Sequence, residues 1–473
     1  MTDQPRTRQE LYDRIRQTSK EEFILEEMIR YGFWSAQGEA PQDPADEIRR
    51  IGEIRRELEQ LRQEASRLRN EKELRKQMLK QRLEESRRKR QETKERREQE
   101  RQQRAQVWNQ KKQQAIVYLG EDVSAGLNQT QSNEERLQSY GLPLCNTPEQ
   151  IATAMGISVG TLRFLAFNRK TSTVSHYIRF KMPKKTGGER IISAPMPRLK
   201  QAQHWILENI LQKLEVHDAA HGFRRDRSIV TNATPHVGAE VIINFDLKDF
   251  FPSISYKRVK GLFESFGYSE TAATIFGLLS TAAEVEALEL DGRTYYVALD
   301  ERHLPQGSPA SPAITNLLCR RLDRRLTAMA EALGFTYTRY ADDLTFSASG
   351  DSLRHICNIL RRTESIVTHE GFTINPEKTR ILRKSRQQEV TGVIVNDKPN
   401  VSKKTLKQFR ATLYQIEKDG PEGKFWGNSP DIIAAIKGFA NFVAMVNPQK
   451  GAEFQQQVQR IQKKYCSNVP SKL

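Results

Sequence analysis

The segment TYTRYADDLTFSAS, residues 336–349, sets two aspartates side by side in a run that otherwise reads as a buried strand. Tyr337, Tyr340, Leu344 and Phe346 supply the aromatic and apolar mixture of a β-segment. Two adjacent carboxylates there repel each other and lose hydration. Successive strand residues face opposite ways, so Asp342 and Asp343 serve one site only near a tight hairpin turn.

A second acidic strand end stands upstream, in VIINFDLKDFFPSI, 241–254. Val241, Ile242, Ile243 and Phe245 make a buried strand that ends at Asp246. Alone, an aspartate there reads as a cap or turn residue. With Asp342 and Asp343 it becomes a candidate for three carboxylates meeting at the tips of neighbouring strands. Three carboxylates and no histidine make a hard oxygen donor set, suited to Mg2+ carrying substrate phosphates. Two such ions roughly 3.5–4 Å apart stabilise the attacking and leaving oxygens of an in-line phosphoryl displacement.

These residues carry a resemblance. RYADDLTF resembles the palm hairpin of reverse transcriptases, and FDLKDFFPSI their first metal-binding motif. LPQGSPASPAITN (304–316) is similar to the segment that supports template and incoming nucleotide, GFTINPEKTRIL (371–382) to the next motif, and PKKTGGERIISAP (183–195) to the fingers motif that holds the triphosphate. Asn232 and His236 in TNATPH, and Val390-Thr391-Gly392, resemble two signatures of bacterial retron reverse transcriptases.

The resemblance implies roles residue by residue. Asp246, Asp342 and Asp343 are the metal ligands, joined by the backbone carbonyl of Leu247, and the cofactor is two Mg2+ ions. Phe251 is the gate beneath the sugar that excludes a 2′-hydroxyl; core packing is the competing reading. Lys184 and Arg190 neutralise the triphosphate unless they are plain surface charges. Gln306 and Gly307 form the nucleotide and template platform. Lys378 protonates the leaving pyrophosphate or else sits in a salt bridge. Asn232 and His236 belong to RNA recognition or to a cap or core, and Thr391 and Gly392 track RNA or primer or shape a turn.

Composition frames the rest. A chain of 473 residues exceeds one ordinary core, and its net charge of +17 points to a polyanionic partner, nucleic acid before membrane. Four scattered cysteines without a C-x-x-C pair argue against a zinc site or disulfide framework and fit a reducing cytoplasm. No run is long and apolar enough for a membrane span, and the N-terminus has no signal-peptide core. Residues 1–112 carry 29 basic and 23 acidic side chains, so most of the excess charge lies beyond them.

The organisation expected is a short helical segment over 1–43, a charged helix or coiled-coil arm over 44–115, a polar linker over 116–140, fingers and palm over 141–385, and a helical thumb over 386–473. In the arm, Ile51, Ile54, Leu58, Leu61, Ala65 and Leu68 form a heptad seam, and residues 84–104 contain no apolar side chain. Glu84–Arg88, Glu85–Lys89, Glu92–Arg96 and Glu100–Arg104 have the favourable order at i,i+4. The arm is either a docking element or a solvated helix without a partner. In the thumb, Lys403, Lys404, Lys407 and Arg410 line one helix face for the duplex backbone, opposite Leu406, Phe409, Leu413 and Ile416.

The fold class is therefore α+β, a right-hand polymerase with an antiparallel palm sheet behind a charged helical arm. The resemblance implies reverse transcription of a cognate structured noncoding RNA, primed from an internal guanosine 2′-hydroxyl, using dNTPs and leaving branched RNA-linked DNA (msDNA). It further implies an effector protein, a role in antiphage defence and no membrane. The seam at 51–68 offers self-association. The competing functions are another bacterial reverse transcriptase, group II intron-like or diversity-generating, and an RNA-binding scaffold on the same fold.

Overall fold

The computed structural model describes residues 7–34, 44–183 and 187–466. The chain divides into two compact units, one up to Val107 and one from Trp108.

The first unit is helical. Helices Arg8–Gln17 and Lys20–Arg30 each open with a capping box, Thr7 with Glu10 and Ser19 with Glu22. The third helix, Pro44–Gln114, runs 71 residues, roughly 107 Å at 1.5 Å per residue, and its last residues belong to the second unit. Lys20–Arg30 packs against the start of this long helix. Glu22 is buried there and accepts from Arg56 Nη2 at 3.3 Å, while Arg55 pairs with Glu21 at 3.6 Å. Gly52 permits that approach, because a Cβ at 52 would overlap the Glu22 carboxylate. Farther along, the helix pairs Arg88 with Glu92 at 3.5 Å and Arg96 with Glu100 at 3.8 Å, not Glu84–Arg88 and Glu92–Arg96 as expected. Each arginine has an acid four residues to either side. At such exposure either choice is worth a few tenths of a kcal/mol, so sequence order does not decide it.

The expected linker is a packed segment instead. Ile116, Leu119, Val123, Leu127 and Leu137 are all buried in the main core of the second unit. Asn168 N–H donates to Leu119 C=O, and Thr271 Oγ1 donates to Leu127 C=O at 2.9 Å. Apolar residues spaced three to ten apart among polar ones suffice to pin an irregular strap, and periodicity searches do not see them.

The second unit carries eleven strands among its described residues. They are β1 (Thr171–Ser172), β2 (Tyr177–Pro183), β3 (Glu189–Pro195), β4 (Val241–Asp246), β5 (Val285–Leu290) and β6 (Arg293–Ala298), followed by β7 (Thr336–Tyr340), β8 (Asp343–Ala348), β9 (Arg380–Arg383), β10 (Glu389–Val390) and β11 (Val393–Ile394). β2 and β3 pair antiparallel as the fingers hairpin, in register from Tyr177 opposite Pro195 to Pro183 opposite Glu189. The sheet that matters for function is antiparallel, in the order β7-β8-β4-β9.

β4 shows why this sheet holds the unit together. Val241, Ile243 and Phe245 enter the main core, whereas Ile242, on the opposite face, enters a second core. That second core is built from helices Lys403–Asp419, Ile432–Val446 and Pro448–Cys466, the first two capped by Ser402 and Asp431. Leu406, Phe409, Leu413 and Ile416 are buried in it, and Phe409 meets Trp426, Phe439 and Phe454 at ring distances of 4.6–5.1 Å. The thumb region thus shares a core with the palm sheet through Ile242 and Ala233. Among the described residues, no helix is long and apolar enough to cross a membrane.

Candidate active site

The β7–β8 hairpin closes with a two-residue turn, Ala341–Asp342, since Tyr340 is the register partner of Asp343. Ala341 sits at φ +56°, in the left-handed region. Gly222 presses against this turn: a Cβ there would lie 2.8 Å from Ala341 N. Asp343 is also the register partner of Asp246 at the end of β4, and Leu247 N–H donates to Asp342 C=O at 2.9 Å. The turn therefore resolves the opposite-facing problem and brings the three aspartates to adjacent strand tips.

The electrostatics are those of a site short of positive charge. Lys378 Nζ bonds both oxygens of Asp246, at 2.9 and 3.0 Å, and Asn375 N–H donates to the Asp246 C=O. Among the described residues, Asp342 and Asp343 have no such ammonium partner. Burial raises the Asp342 carboxyl above the usual range, with repulsion from Asp246 adding to it and Lys378 and Arg190 opposing. Burial, then repulsion from Asp342 and Asp246, pushes Asp343 up to about 7. Asp343 keeps an exposed edge on the groove. Among the described residues, no three His, Cys, Asp or Glu side chains form a ready-made metal cage, and the Asp246 carboxylate is paired with Lys378. The donor chemistry still fits a divalent cation: three crowded carboxylates face one ammonium, and added positive charge relieves the repulsion. Asp246, Asp342, Asp343 and the Leu247 carbonyl are the groups that would hold it.

Other expected residues fall around this centre. Arg190 on β3 is exposed and its charge reaches Asp342; Lys184 lies outside the described residues. Gln306 C=O accepts from Ser193 N–H at 2.7 Å, fastening this segment to β3. At Gly307, φ +118°, a Cβ would lie 2.9 Å from Ser193 O, so the close approach this glycine allows is to the fingers hairpin itself. Phe251 is half-buried, 5.7 Å from Phe250, and Phe250 is the core member, its ring tilted against Phe372 at 5.5 Å. Lys403, Lys404, Lys407 and Arg410 are exposed along one helix, with Arg410 lying 5.5 Å over the Phe454 ring.

Asn232 and His236 do not reach the surface, which favours the core reading of each over direct contact with RNA. Both are fully buried. His236 bridges the catalytic hairpin from beneath, Nδ1 to Ser347 Oγ at 2.7 Å and Nε2 to Thr338 Oγ1 at 2.8 Å, and burial drives its pKa down to about 3. Asn232 Nδ2 donates to Thr391 Oγ1 at 3.4 Å. Two segments far apart in sequence thus meet. Thr391 and Gly392 form the two-residue turn between β10 and β11, with φ +45° and +84°; Thr391 is half-buried with its hydroxyl turned inward, and Gly392 is exposed with open space around it. A β-branched residue is strained at positive φ. This turn lines one groove with Asp246, Asp343 and Lys378.

Sequence reasoning missed the support behind the turn. Arg339 is fully buried in β7, its Nε and Nη2 each 2.7 Å from the Asp323 carboxylate. Its Nη1 donates to Asn316 Oδ1 at 3.0 Å and to Ala341 C=O at 3.2 Å. Burial by itself would lower the Arg339 pKa, but Asp323 outweighs it and the net direction is up. The signal was present: an arginine at an inward strand position demands a carboxylate.

Comparison with known proteins agrees with this geometry. Residues 182–395 match the family described as reverse transcriptase (RNA-dependent DNA polymerase). The retron Mx162 reverse transcriptase of Myxococcus xanthus is 43% identical over 362 residues, 74% of this chain and 74% of its own length. The retron Mx65 enzyme of the same organism is 41% identical over 67% of this chain and 72% of its own. The retron Ec86 enzyme of Escherichia coli is 33% identical over 72% of this chain and 97% of its own. Among solved structures, a telomerase from Candida albicans aligns over 61% of this chain and 56% of its own at 13% identity, with a TM-score of 0.37, too loose to carry an argument. With the aspartates at the strand tips and relatives of this closeness, the chain belongs to the retron reverse transcriptases and is an RNA-directed DNA polymerase.

Proposed function

We propose that this enzyme copies a cognate structured noncoding RNA into DNA, beginning at the 2′-hydroxyl of an internal guanosine, so that the product is branched msDNA. The observation that supports the chemistry best is the register of Asp246 against Asp343 with Asp342 in the adjoining turn. Two Mg2+ ions held there would supply Lewis-acid stabilisation of the attacking hydroxyl and the leaving pyrophosphate.

The chain's own residues do the rest. Asp246, Asp342 and Asp343 present carboxylate oxygens on one side of the cleft, with the Leu247 carbonyl beside them. Arg190, with Lys184, neutralises the triphosphate. Gln306 and Gly307 support nucleotide and template. Phe251 packs beneath the sugar and leaves no room for a 2′-hydroxyl. Lys378, the ammonium nearest the carboxylates, donates a proton from Nζ to the departing pyrophosphate. The Thr391–Gly392 turn, exposed at Gly392 and braced from beneath by Asn232 on the Thr391 hydroxyl, contacts the RNA or primer. Lys403, Lys404, Lys407 and Arg410 grip duplex phosphates, reading shape more than base edges. By kinship with retrons, the biological role is antiphage defence with an effector protein.

The test is expression of the protein with the noncoding DNA beside its gene, followed by isolation of short RNA-linked DNA. The branch should be sensitive to a 2′,5′-debranching enzyme. Asp342→Asn with Asp343→Asn should abolish the product while keeping RNA binding within a few-fold, because ligation is lost but the basic groove remains. Product from the double variant, or DNA with no branch, would overturn the reading.

A further inference from the structure

We infer that the long helix of the first unit associates with a second copy of itself as a parallel, in-register coiled coil over residues 51–76. The starting observation is an apolar row left open. Ile51, Ile54, Leu58, Leu61 and Leu68 are between 46% and 64% exposed on a helix that has a partner elsewhere on its circumference. That partner, helix Lys20–Arg30, meets the helix at Gly52, Arg55 and Arg56. In the heptad those residues are b, e and f, so the contact lies behind and to one side of the a/d seam, with Arg55 at its flank, and leaves the seam open: a is Ile51, Leu58 and Ala65, and d is Ile54, Leu61 and Leu68.

Charge then selects the occupant and its direction. The g positions are Glu57, Glu64 and Glu71, and the e positions five residues on are Arg62, Arg69 and Lys76, all exposed. In a parallel in-register pair, g of one helix faces the following e of the other. Glu57 then meets Arg62, Glu64 meets Arg69 and Glu71 meets Lys76, each twice by symmetry. In an antiparallel pair g faces g and e faces e, so every one of these contacts becomes Glu–Glu or base–base. The adverse parallel contacts lie at the two ends: Arg50 against Arg55, where Arg55 already pairs with Glu21 of its own chain at 3.6 Å, and, past Leu68, Lys72 against Lys72 and Arg75 against Arg75 at the a and d positions. Glu71 bonds Arg75 within the helix at 3.2 Å on an exposed face, where exchange for Lys76 of the second copy costs little. Lys72 at the next a position ends the seam and penalises a shifted register. A second copy therefore satisfies both the apolar row and the flanking charges, and the proposal does not depend on how the polymerase is primed.

The experiment uses the full chain, freed of nucleic acid by nuclease and high salt. Its mass is followed by light scattering as protein rises to roughly 100 µM, a range that would detect a weak pair. The expected mass rises toward that of two chains. Glu57→Lys, Glu64→Lys and Glu71→Lys together should return it to one chain. Adding Arg62→Glu, Arg69→Glu and Lys76→Glu should restore two, because only parallel pairing again matches unlike charges. Direction is read separately by Ile54→Cys in a Cys357→Ser, Cys466→Ser background. A parallel register puts the two introduced thiols within disulfide reach, and an antiparallel seam does not. Circular dichroism of each variant keeps helix loss apart from dissociation. A single-chain mass for the wild type throughout, a mass of three or more chains, a mass unmoved by charge reversal or no cross-link would each overturn the proposal. So would loss of cognate-RNA affinity in the charge-reversed variant with no change of mass, which would assign the seam to RNA.

Discussion

Replacing Arg339 by methionine tests whether the catalytic turn is held from behind. Methionine is of similar length and carries no charge, so the perturbation removes four donations: two at 2.7 Å to Asp323, one at 3.0 Å to Asn316 and one at 3.2 Å to the Ala341 carbonyl. The Asp323 carboxylate, fully buried, is left with the Tyr337 hydroxyl at 3.0 Å. Breaking a buried pair by deleting one partner costs about 3–5 kcal/mol, because the survivor stays desolvated. For the 366 residues from Trp108 to Leu473, an unfolding entropy of about 2.1 cal/mol/K per residue gives ~0.8 kcal/mol/K, so ~4 kcal/mol lowers Tm by about 5 °C. Adding Asp323→Leu should recover most of that loss, since an apolar pair of similar volume carries no stranded charge. Arg339→Lys should not, because an ammonium cannot span both carboxylate oxygens. The turn also loses its restraint at Ala341, so primer extension at permissive temperature should show kcat down about tenfold, some 1.4 kcal/mol, with KM for dNTP little changed. Thermal unfolding followed by circular dichroism and steady-state extension are the assays. A Tm within about 1 °C of wild type, or a double variant no more stable than Arg339→Met, would refute the reasoning.

Two further outcomes are expected. Phe251→Ala should weaken discrimination against ribonucleotides by about tenfold in kcat/KM, the volume beneath the sugar having been opened; unchanged discrimination in a folded variant would make Phe251 a core residue. In chelator, stability should fall as pH rises from about 4 toward 7. Burial, with Asp342 and Asp246, has pushed Asp343 up to about 7, so across that window the folded chain binds more protons than the unfolded one. Added Mg2+ should reverse the trend at the upper end, and Asp343→Asn should flatten it; a slope unaltered in that variant would exclude Asp343 as its source.

What the sequence determined by itself is what depends on local pattern. A short apolar run ending in Asp246, and two aspartates at a hairpin, are read from a few consecutive residues, because buried strands and tight turns are local properties. The heptad seam and the face carrying Leu406, Phe409, Leu413 and Ile416 are legible for the same reason. What joins distant segments was decided by tertiary structure alone. The register of Asp246 against Asp343 depends on a sheet closing across about a hundred residues. Asn232 and His236 look like polar contacts for RNA until packing places one under Thr391 and the other between Thr338 and Ser347. The segment 116–140 looks like a linker until Ile116, Leu119 and Leu127 find a core contributed by other elements. A side chain's chemistry is written in its own position, but its burial is set by what the rest of the chain brings against it, and burial turned Asn232 and His236 from ligand contacts into the frame of the site.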